Sequence, residues 1–445
     1  MSKRDVNILC TGDIHLGRYP WRVPVGESSL SVRHVWERVV DTAMENDVDI
    51  VALTGDVIDR KNRYYEALGP LQQGVRRLRQ AGVVVVAVSG NHDYDVLPSA
   101  ADVAGDKALR LLGRGGRWET VLVEGEHRPV RLVGWSYPDR HVLESPIGTL
   151  DLEGDDEAVT VGLLHTDLNR PASRYAPVTA AELGTAPVDL WLLGHVHSAR
   201  HIDLPGGGVA LYPGTPQPLG PESSGSARHV DGDVHVCGPW LIEIGPDVGL
   251  RCRPIGLATL VYRDLDIDLD GVEKDAEFRS KVPTRVSEDL RRVADASESV
   301  QRVVYRLKYR GRTPLHSRLE ELNRELVNDW EHRLGVVTAQ IDGFDSKTTP
   351  PVDLEALARG DDPPGLLAAA LLEIRDGSVE GDARSLWEEL KGVVDEVYGA
   401  NAYAPLQADE ETREKPGDSE LRRRVLDEGL KLLDALRRQK RGGGS

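Results

Sequence analysis

The segment NILCTGDIHLG, residues 7–17, has a pattern that recurs through the first half of the chain. Residues 7–11 are largely apolar and have the length of a β-strand, and the polar residues Asp13 and His15 follow at once. Four further segments join an apolar run to polar residues in the same way: TGDVID (54–59), SGNHD (89–93), LLHTD (163–167) and LGHVH (193–197). Ligand sites in α/β sheets lie beyond the carboxyl ends of strands, so the pattern predicts one polar site built from five strand ends.

Strand-like and helix-like stretches alternate in this half of the chain. Helix-like stretches at 32–46 and 65–81 separate the early strands, and the alternation predicts an α/β sandwich. The predicted strands are residues 7–11, 49–54, 83–89, 130–135, 159–164, 190–193 and 240–244.

The second half is organised differently. Apolar and polar residues alternate strictly at 264–270, and an alternating pattern returns at 301–310. Together they predict half-buried strands, with a helix between them, in a small α+β domain. The Pro-rich segment SKTTPPVD (346–353) predicts a linker, and a final amphipathic helix is predicted at 420–441. The predicted domains are residues 1–255, 256–345 and 346–445, the last being a linker and helical region.

Composition limits the possible functions. The chain has 445 residues, with 55 Lys or Arg against 73 Asp or Glu, and its formal net charge is −18. With 40% hydrophobic and 29% charged residues it is predicted to be soluble and globular. An acidic protein of this kind does not hold phosphate backbones over its whole surface, so nucleic acid must bind through a local basic patch or through metal ions.

Neither a membrane span nor a signal peptide is predicted. The longest strongly apolar run, residues 83–88, is far shorter than the ~20 residues that a spanning helix needs. The start of the chain, MSKRDVNILCTGD, lacks the apolar region and cleavage site of a signal peptide. Three cysteines (Cys10, Cys237 and Cys252) are too few for a disulfide framework. These features predict a protein of the reducing cytoplasm.

The polar residues of the five segments suit divalent metal ions. Imidazole and carboxylate ligands without thiolates are typical of Mn²⁺, Fe²⁺ or Zn²⁺ sites. In Asp-x-His and His-x-His, residues two apart point to the same side of an extended chain and can reach one centre. Each segment alone could be an ordinary polar loop, but five in order favour a metal site. Two ions ~3.5–4 Å apart stabilise both oxygens of a displacement at phosphorus, and a hydroxide bridging them is the natural nucleophile.

The ordered set GDIHLG, GDVID, GNHD, His165 and GHVH resembles the motifs of calcineurin-like metallophosphoesterases. The spacing is most similar to bacterial DNA repair exonucleases of the SbcD and YhaO type, relatives of the nuclease subunit of the double-strand-break repair complex. The HLG of the first motif, the segment YPGTPQ (212–217) and the small domain after residue 256 carry this closer likeness. The resemblance covers residues 5–345. It implies two packed sheets flanked by helices, a capping domain and a helical tail.

The resemblance also implies a role for each motif residue. Asp13, His15 and His197 would hold one metal ion. Asn91, His165 and His195 would hold a second ion, and Asp56 would bridge the two. Mn²⁺ is expected, with Fe²⁺, Zn²⁺ or Mg²⁺ as alternatives. His92 would protonate the leaving oxygen or stabilise developing charge, and Asp93 would orient His92. One departure is Asp59, which stands near the position where archaeal and eukaryotic relatives carry a substrate-positioning His.

Contacts with DNA and with partner proteins are further expectations. A basic loop after Asp56 and a basic strand face are candidate DNA contacts, the strand face being equally consistent with a solvated surface paired to acidic residues. These residues are Arg60, Lys61, Arg63, Arg302, Arg306, Lys308 and Arg310. The resemblance implies a coiled-coil ATPase of the SbcC or YhaN type bound by the C-terminal helices, and a homodimer.

The function predicted is therefore hydrolysis of DNA phosphodiester bonds by a dinuclear-metal exonuclease or endonuclease. Two alternatives remain open. A small-nucleotide phosphodiesterase or phosphatase would use the same metal site but would not need a capping domain and helical tail. The chain could instead be an assembly subunit of an ATPase complex with a mainly structural metal site. For the C-terminal helix three roles are open: a DNA-binding arm, a partner-binding helix, or packing on its own chain.

Overall fold

The structure, a computed structural model, describes most of the chain. The described residues are 6–23, 26–61, 66–105, 108–125, 128–154, 157–221, 229–230, 233–234, 236–245, 249–329, 332–377, 381–399 and 416–442.

Strands and helices are numbered in chain order. The strands are β1 (Val6–Thr11), β2 (Ile50–Leu53), β3 (Val84–Ala87), β4 (Arg110–Leu111), β5 (Trp118–Val123), β6 (Val130–Trp135), β7 (Val159–His165), β8 (Leu190–Gly194), β9 (Arg200–Asp203), β10 (Val209–Tyr212), β11 (His229–Val230), β12 (Asp233–Val234), β13 (Trp240–Gly245), β14 (Gly249–Pro254), β15 (Leu260–Asp268), β16 (Arg302–Arg310), β17 (His332–Leu334) and β18 (Val337–Ser346). The helices are α1 (Val32–Glu45), α2 (Leu68–Gln80), α3 (Leu97–Ala104), α4 (Ala180–Thr185), α5 (Asp275–Ala296), α6 (Leu319–Asp329), α7 (Leu354–Leu357), α8 (Pro363–Asp376), α9 (Gly381–Gly399) and α10 (Asp418–Gly442).

Two six-stranded sheets form the first part of the fold. The first has the order β14-β13-β1-β2-β3-β4. Strands β1, β2, β3 and β4 run parallel to one another, whereas β13 pairs antiparallel with both β1 and β14. The second has the order β5-β6-β7-β8-β10-β9, with β6, β7, β8 and β10 parallel and the edge strands β5 and β9 antiparallel. All the parallel strands that precede the five polar segments therefore belong to these two sheets.

Alternate residues of the central strands pack into different cores. In β1, Ile8 and Cys10 pack with Leu132 and Leu163 of the second sheet, and this core lies between the sheets. Leu9 on the opposite face of β1 packs with α1, α2 and α3, as do Val51 and Val85 of the neighbouring strands. Both faces are buried, which is why these strands read as continuous apolar runs in the sequence.

Helices cover the outer faces of the two sheets. Trp36 of α1 is fully buried, and its indole nitrogen donates a hydrogen bond to the Pro70 carbonyl at 3.0 Å. Outside the second sheet, Leu183 of α4 packs with Trp191 and Tyr212. The predicted α/β sandwich of two packed sheets flanked by helices is confirmed.

The later part of the chain contains a four-stranded sheet of order β15-β16-β18-β17. In β16 the side chains of Val303, Tyr305, Leu307 and Tyr309 are buried, as the alternation predicts. The helix predicted between the two alternating strands is α5, which continues through Pro283. The chain divides into two compact units: one comprises residues 1–265, 286–306 and 330–342, the other 266–285, 307–329 and 343–445. The domain boundaries after residues 255 and 345 stay a prediction.

The C-terminal helices pack on one another. Leu371 and Ala368 of α8 share a core with Leu430 and Leu433 of α10 and with Leu354 of α7. Trp387 of α9 packs with Ile374 and Leu421 in an adjoining cluster. Of the sequence-based alternatives for α10, packing on its own chain is therefore observed. Among the helices of the described residues, none is long and apolar enough to cross a membrane.

The packing of α10 can be tested with two neighbouring leucines. Leu433 is fully buried, whereas Leu432 is 52% exposed. We expect Leu433→Ala to destabilise the helical region by about 2–5 kcal/mol, because the truncation leaves a cavity against α8. Leu432→Ala is the matched control, with an expected change within about 0.5 kcal/mol. Hydrogen exchange of α8 and α10 measures both, and equal protection in the two variants would show that α10 does not depend on this core.

Candidate metal centre

The five polar segments meet at the carboxyl ends of the parallel strands. Asp13 and His15 follow β1, Asp56 follows β2, and Asn91 and His92 follow β3. In the second sheet, His165 ends β7, and His195 and His197 follow β8. Both sheets thus contribute side chains to one site, which is the arrangement expected for ligand sites in α/β sheets.

Asp13, His15 and His197 form one group of possible metal ligands, with their ligand atoms within 4.8 Å of one another. The Nε2 atoms of His15 and His197 are 3.2 Å apart, and His197 Nε2 lies 3.9 Å from Asp13 Oδ1. A second nitrogen of His15, Nδ1, faces Asp59 Oδ2 at 3.5 Å. The Nε2 atom of His15 therefore points into the group while Nδ1 faces a carboxylate.

His165 and Asn91 lie together at a second position. His165 Nδ1 donates a hydrogen bond to the Thr54 carbonyl at 3.0 Å, because a carbonyl oxygen can only accept. This bond keeps a proton on Nδ1 and turns Nε2 towards Asp56, so Nε2 offers a lone pair to a metal ion once its own proton has left. Nε2 lies 3.2 Å from Asn91 Oδ1 and 3.4 Å from Asp56 Oδ2.

Asp56 lies between the two groups. Its Oδ2 is 3.4 Å from His165 Nε2 and 4.0 Å from His15 Nε2, and it belongs to candidate ligand sets on both sides. The other oxygen, Oδ1, accepts the backbone N–H of His92 at 2.8 Å. The carboxylate predicted to bridge two ions is thus within reach of both sets of imidazoles.

His195 stands apart from the groups of possible metal ligands described so far. The ligand sets found among the described residues do not include it. Its ring lies 5.2 Å from that of His165, and its Nε2 lies 3.4 Å from Asp167 Oδ2. Ser173 Oγ donates a hydrogen bond to the same Asp167 oxygen. Asp167 was not selected from the sequence, although it stands two residues after His165 in LLHTD.

The carboxylate beside His92 is Asp59. Asp59 Oδ2 lies 3.5 Å from Nδ1 of His92, the same distance as from Nδ1 of His15. Asp93, predicted to orient His92, instead accepts backbone N–H groups: Gly90 on one oxygen at 2.8 Å, and Val57 and Ile58 on the other at 2.8 and 3.3 Å. Asp93 thus ties the loops after β2 and β3 together, and its predicted role in orienting His92 stays a prediction.

The loops that carry the site have unusual backbone conformations. Asp13 (φ 48°), His15 (φ 54°), Asp56 (φ 48°) and His195 (φ 93°) all have positive φ. Such conformations cost about 1–3 kcal/mol each in residues other than glycine and concentrate at functional sites. Hydrogen bonds between the loops hold them: Asp13 N–H binds the Gly55 carbonyl at 3.0 Å and His15 N–H binds that of Asp56 at 2.9 Å.

Two glycines leave room for the His165 ring. A Cβ on Gly55 (φ 96°) would lie 2.6 Å from His165 Nδ1. A Cβ on Gly90 would lie 2.3 Å from Asp56 Oδ1 and 2.8 Å from His165 Nε2. Both contacts are too short for real atoms, so the Gly-Asp and Gly-Asn pairs of the motifs are needed for close packing around the ligands.

Burial and neighbouring charges shift the titration of the site. Burial alone would raise the pKa of Asp56, but His165, His15 and His92 hold it well below its usual range. Burial lowers the pKa of His165, yet the adjacent Asp56 raises it to about 9. Burial also raises the pKa of Asp93 to about 6, with Asp56 acting in the same direction, and lowers that of His197 to about 4.

These residues fit a pair of divalent ions. Imidazole nitrogens and carboxylate oxygens converge within 4.8 Å of one another in three groups among the described residues, which is a set of ligands that can hold cations. The ligands are nitrogen and oxygen without thiolate, as in Mn²⁺, Fe²⁺ and Zn²⁺ sites.

A cavity of about 760 Å³ opens beside His92 and Asn91. Its lining includes Arg60 and Lys61, which the sequence suggested, together with Arg18, Tyr19 and Arg140, which it did not. These three were missed from the sequence because no local motif identifies them as part of the site. Arg140 reaches the cavity from a loop after β6.

The remaining basic candidates are more dispersed. Arg63 lies outside the described residues. Arg302 pairs with Glu27 Oε2 at 2.7 Å, as expected for a solvated face paired to acidic residues. Arg306 and Arg310 are exposed, and Lys308 is half-buried.

Two family models match the chain. Residues 6–199 match the calcineurin-like phosphoesterase family, and residues 262–349 match the middle domain of the metallophosphoesterase YhaO. The first match contains every predicted metal ligand, and the second lies in the region of the four-stranded sheet.

Curated relatives match part of the chain. The uncharacterized metallophosphoesterase YhaO of Bacillus subtilis is 28% identical over 238 residues, which cover 51% of this chain and 54% of that protein. The DNA double-strand break repair protein Mre11 of Haloferax volcanii is 29% identical over 287 residues, covering 62% of this chain and 57% of that protein. The Mre11 of Methanopyrus kandleri is 25% identical over 223 residues, covering 46% and 48%. The chain thus spans about half the length of the curated relatives it matches.

Metal binding should be coupled to proton release. With the pKa of His165 at about 9, the ring carries a proton at neutral pH that a metal ion must displace. Below this pKa each unit of pH should therefore raise the metal affinity by about tenfold, and the gain should level off as the pH passes about 9. Calorimetric titration of metal-free protein with Mn²⁺, in buffers of different ionisation enthalpy, measures both the metal affinity and the number of protons released. An affinity independent of pH from about 6.5 to 8.5 would contradict this linkage.

Asp167 should tune the ion that His195 is predicted to bind. Carboxylates that accept a hydrogen bond from a ligating imidazole are typically worth about 10–100-fold in metal affinity. We expect Asp167→Ala to weaken one of two ions by this factor and Asp167→Asn to weaken it less. Asp203→Ala, at an exposed position in β9, is the matched control. Metal content after dialysis is the measurement, and retention of both ions by Asp167→Ala would show that Asp167 does not act on the site.

Proposed function

We propose that this chain, whose residues 6–199 match the calcineurin-like phosphoesterase family, hydrolyses DNA phosphodiester bonds with two divalent metal ions. The observation that carries the proposal is the shared position of Asp56 between two sets of ligands, with His92 at the wall of a cavity lined by basic side chains. The proposed ligands of one ion are Asp13, His15 and His197. Those of the other are Asn91, His165 and His195, and Asp56 bridges the two.

The metal ions would supply an activated water and stabilise charge on the phosphoryl oxygens. Mn²⁺ is the proposed ion, and the ligand set also accommodates Fe²⁺ and Zn²⁺. His165 and His15 are suited to hold such ions because each has one nitrogen turned away, towards the Thr54 carbonyl and towards Asp59 respectively. These contacts fix the rings in the orientation in which Nε2 faces the site.

His92 would act on the leaving oxygen. Its side chain is 32% exposed and lines the cavity, so a substrate phosphate can approach the ring. Burial lowers the pKa of His92, but the neighbouring carboxylates of Asp59 and Asp56 raise it above the ordinary value. These carboxylates favour the protonated ring, and Asp59, 3.5 Å from Nδ1, would position it as a proton donor.

Four cationic side chains around the cavity support an anionic substrate. Arg18, Arg60, Lys61 and Arg140 supply positive charge locally in a chain whose net charge is −18. This is the local basic patch that an acidic protein needs in order to bind a phosphate backbone. The names of the Haloferax and Methanopyrus relatives, which are DNA double-strand break repair proteins, favour DNA over a small nucleotide.

Partner proteins are part of the proposal. The C-terminal helices would bind a coiled-coil ATPase of the SbcC or YhaN type, and the chain would form a homodimer. Helices α8, α9 and α10 support this proposal with exposed apolar side chains on the faces turned away from their common cores: Leu366, Leu386, Val393 and Leu432. An inward face that packs and an outward apolar face are compatible in one helix.

Cleavage of end-labelled linear duplex DNA with Mn²⁺ or with EDTA tests the activity. We expect metal-dependent nucleotide release, and a loss of about 10²–10⁴-fold in kcat for His92→Ala because the proton donor is removed. His201→Ala, at an exposed position in β9, is the matched control and should cleave normally. Metal content of both variants should equal that of the wild type.

A bis-phenyl phosphodiester in the same tubes separates the alternatives. Cleavage of the small diester without cleavage of DNA would favour a small-nucleotide phosphodiesterase. Metal binding with no hydrolysis of either substrate would favour a structural metal site and an assembly role.

A further inference from the structure

Tyr19 is an exposed aromatic side chain in the wall of the cavity beside the metal centre. It is 39% exposed and lines the same cavity as Asn91 and His92. An aromatic ring exposed inside a basic cleft offers a flat apolar face on which a bound ligand can stack. Neither the metal ligands nor His92 require a ring at this position.

Backbone hydrogen bonds anchor the segment that carries Tyr19 on both sides of this residue. On one side the backbone N–H of Arg18 binds the His15 carbonyl at 3.0 Å. On the other, the N–H of Trp21 binds the Leu219 carbonyl at 2.8 Å. Tyr19 therefore sits four residues from a metal ligand on a segment anchored at both ends, and little further ordering is needed when a ligand binds.

The polar end of Tyr19 already has a partner. Its hydroxyl is hydrogen-bonded to Glu66. What remains for a ligand is the apolar body of the ring rather than its hydroxyl group. A flat apolar surface surrounded by cations matches a nucleotide, in which a flat base is joined to a charged phosphate.

We infer that the ring of Tyr19 is a stacking platform for an unpaired nucleobase adjoining the phosphate that is cleaved. The inference rests on the proposed function and specifies its substrate, which is a DNA end whose terminal nucleotides are single-stranded. A base inside a duplex has both faces covered by its neighbours, so it must leave the stack before a side chain can stack on it, whereas an unpaired base at an end is free to do so. Arg18, Arg60, Lys61 and Arg140 hold the phosphates on either side. The cavity, at about 760 Å³, is large enough for a nucleotide.

Two single-stranded oligonucleotides with the same backbone test the inference. One carries bases throughout, and the other carries abasic residues at both ends. We expect the wild type to bind the base-bearing strand about tenfold more tightly or better, the worth of one base–aromatic stack. Tyr19→Ala should bring the ratio of the two affinities close to one, whereas Tyr19→Phe and Tyr19→Trp should keep it.

Trp21→Ala is the matched control. Trp21 is also 39% exposed, but its ring lies against the Arg22 guanidinium, 4.7 Å away, and the residues lining the cavity do not include it. This variant should keep the wild-type ratio. Fluorescence anisotropy in EDTA gives the affinities without hydrolysis, and kcat/KM for the two strands with Mn²⁺ gives the same ratio during cleavage.

The outcomes separate the inference from the proposed function. Equal affinity of the wild type for both strands, or an unchanged ratio in Tyr19→Ala, overturns the stacking platform even if DNA is cleaved. A ratio lost equally in Trp21→Ala also overturns it, because the effect would then not belong to the cavity. A ratio that depends on Tyr19 in EDTA, with no cleavage in Mn²⁺, supports the platform and rejects the nuclease.

Discussion

The Asp56 carboxylate is only 2% exposed and lies among His15, His92 and His165. A buried charge of this kind is stable only if opposite charges or hydrogen bonds surround it, and removing its partners is strongly destabilising. The surrounding architecture meets this requirement. Two sheets bring their strand ends to one point, three imidazoles face the carboxylate, and the His92 backbone N–H binds its second oxygen. The electrostatics of one side chain therefore constrain loops that come from both sheets.

This concentration of charge is combined with strained backbone. Asp13, His15, Asp56 and His195 all hold positive φ, and the loops cannot relax without separating the ligands. The cores on both faces of the first sheet fix the strands from which these loops start. Rigid, fully buried strands thus offset the cost of unfavourable conformations at their ends. The ligands follow the strands immediately because each added loop residue would weaken the restraint that the buried strand places on the loop.

Much of the fold and of the metal centre could be predicted from the sequence because both depend on local patterns. Apolar runs such as those of β1 and β7 are buried on both faces, and the ligands stand directly after them. Residues that act across the chain were missed. Asp59 and Asp167 are ordinary carboxylates in sequence, and their partners His92 and His195 are brought to them by the fold. Strand β5 is half-exposed at the sheet edge and lacks a strong apolar run. Asp93 adjoins His92 in sequence, but its side chain points to backbone amides.

Asp13 and His197 of one ligand group stand near the two ends of the phosphoesterase domain, and residues from β1 to β8 separate them. During synthesis the amino-terminal ligands leave the ribosome first, and the ligand set is completed only after β7 and β8 have been made and have packed against β1, β2 and β3. Any nascent chain or proteolytic fragment that stops before His195 holds an incomplete set of ligands. A centre divided in this way stays incomplete in partly made protein, so the proposed chemistry can begin only after the strands that carry the last ligands have been built.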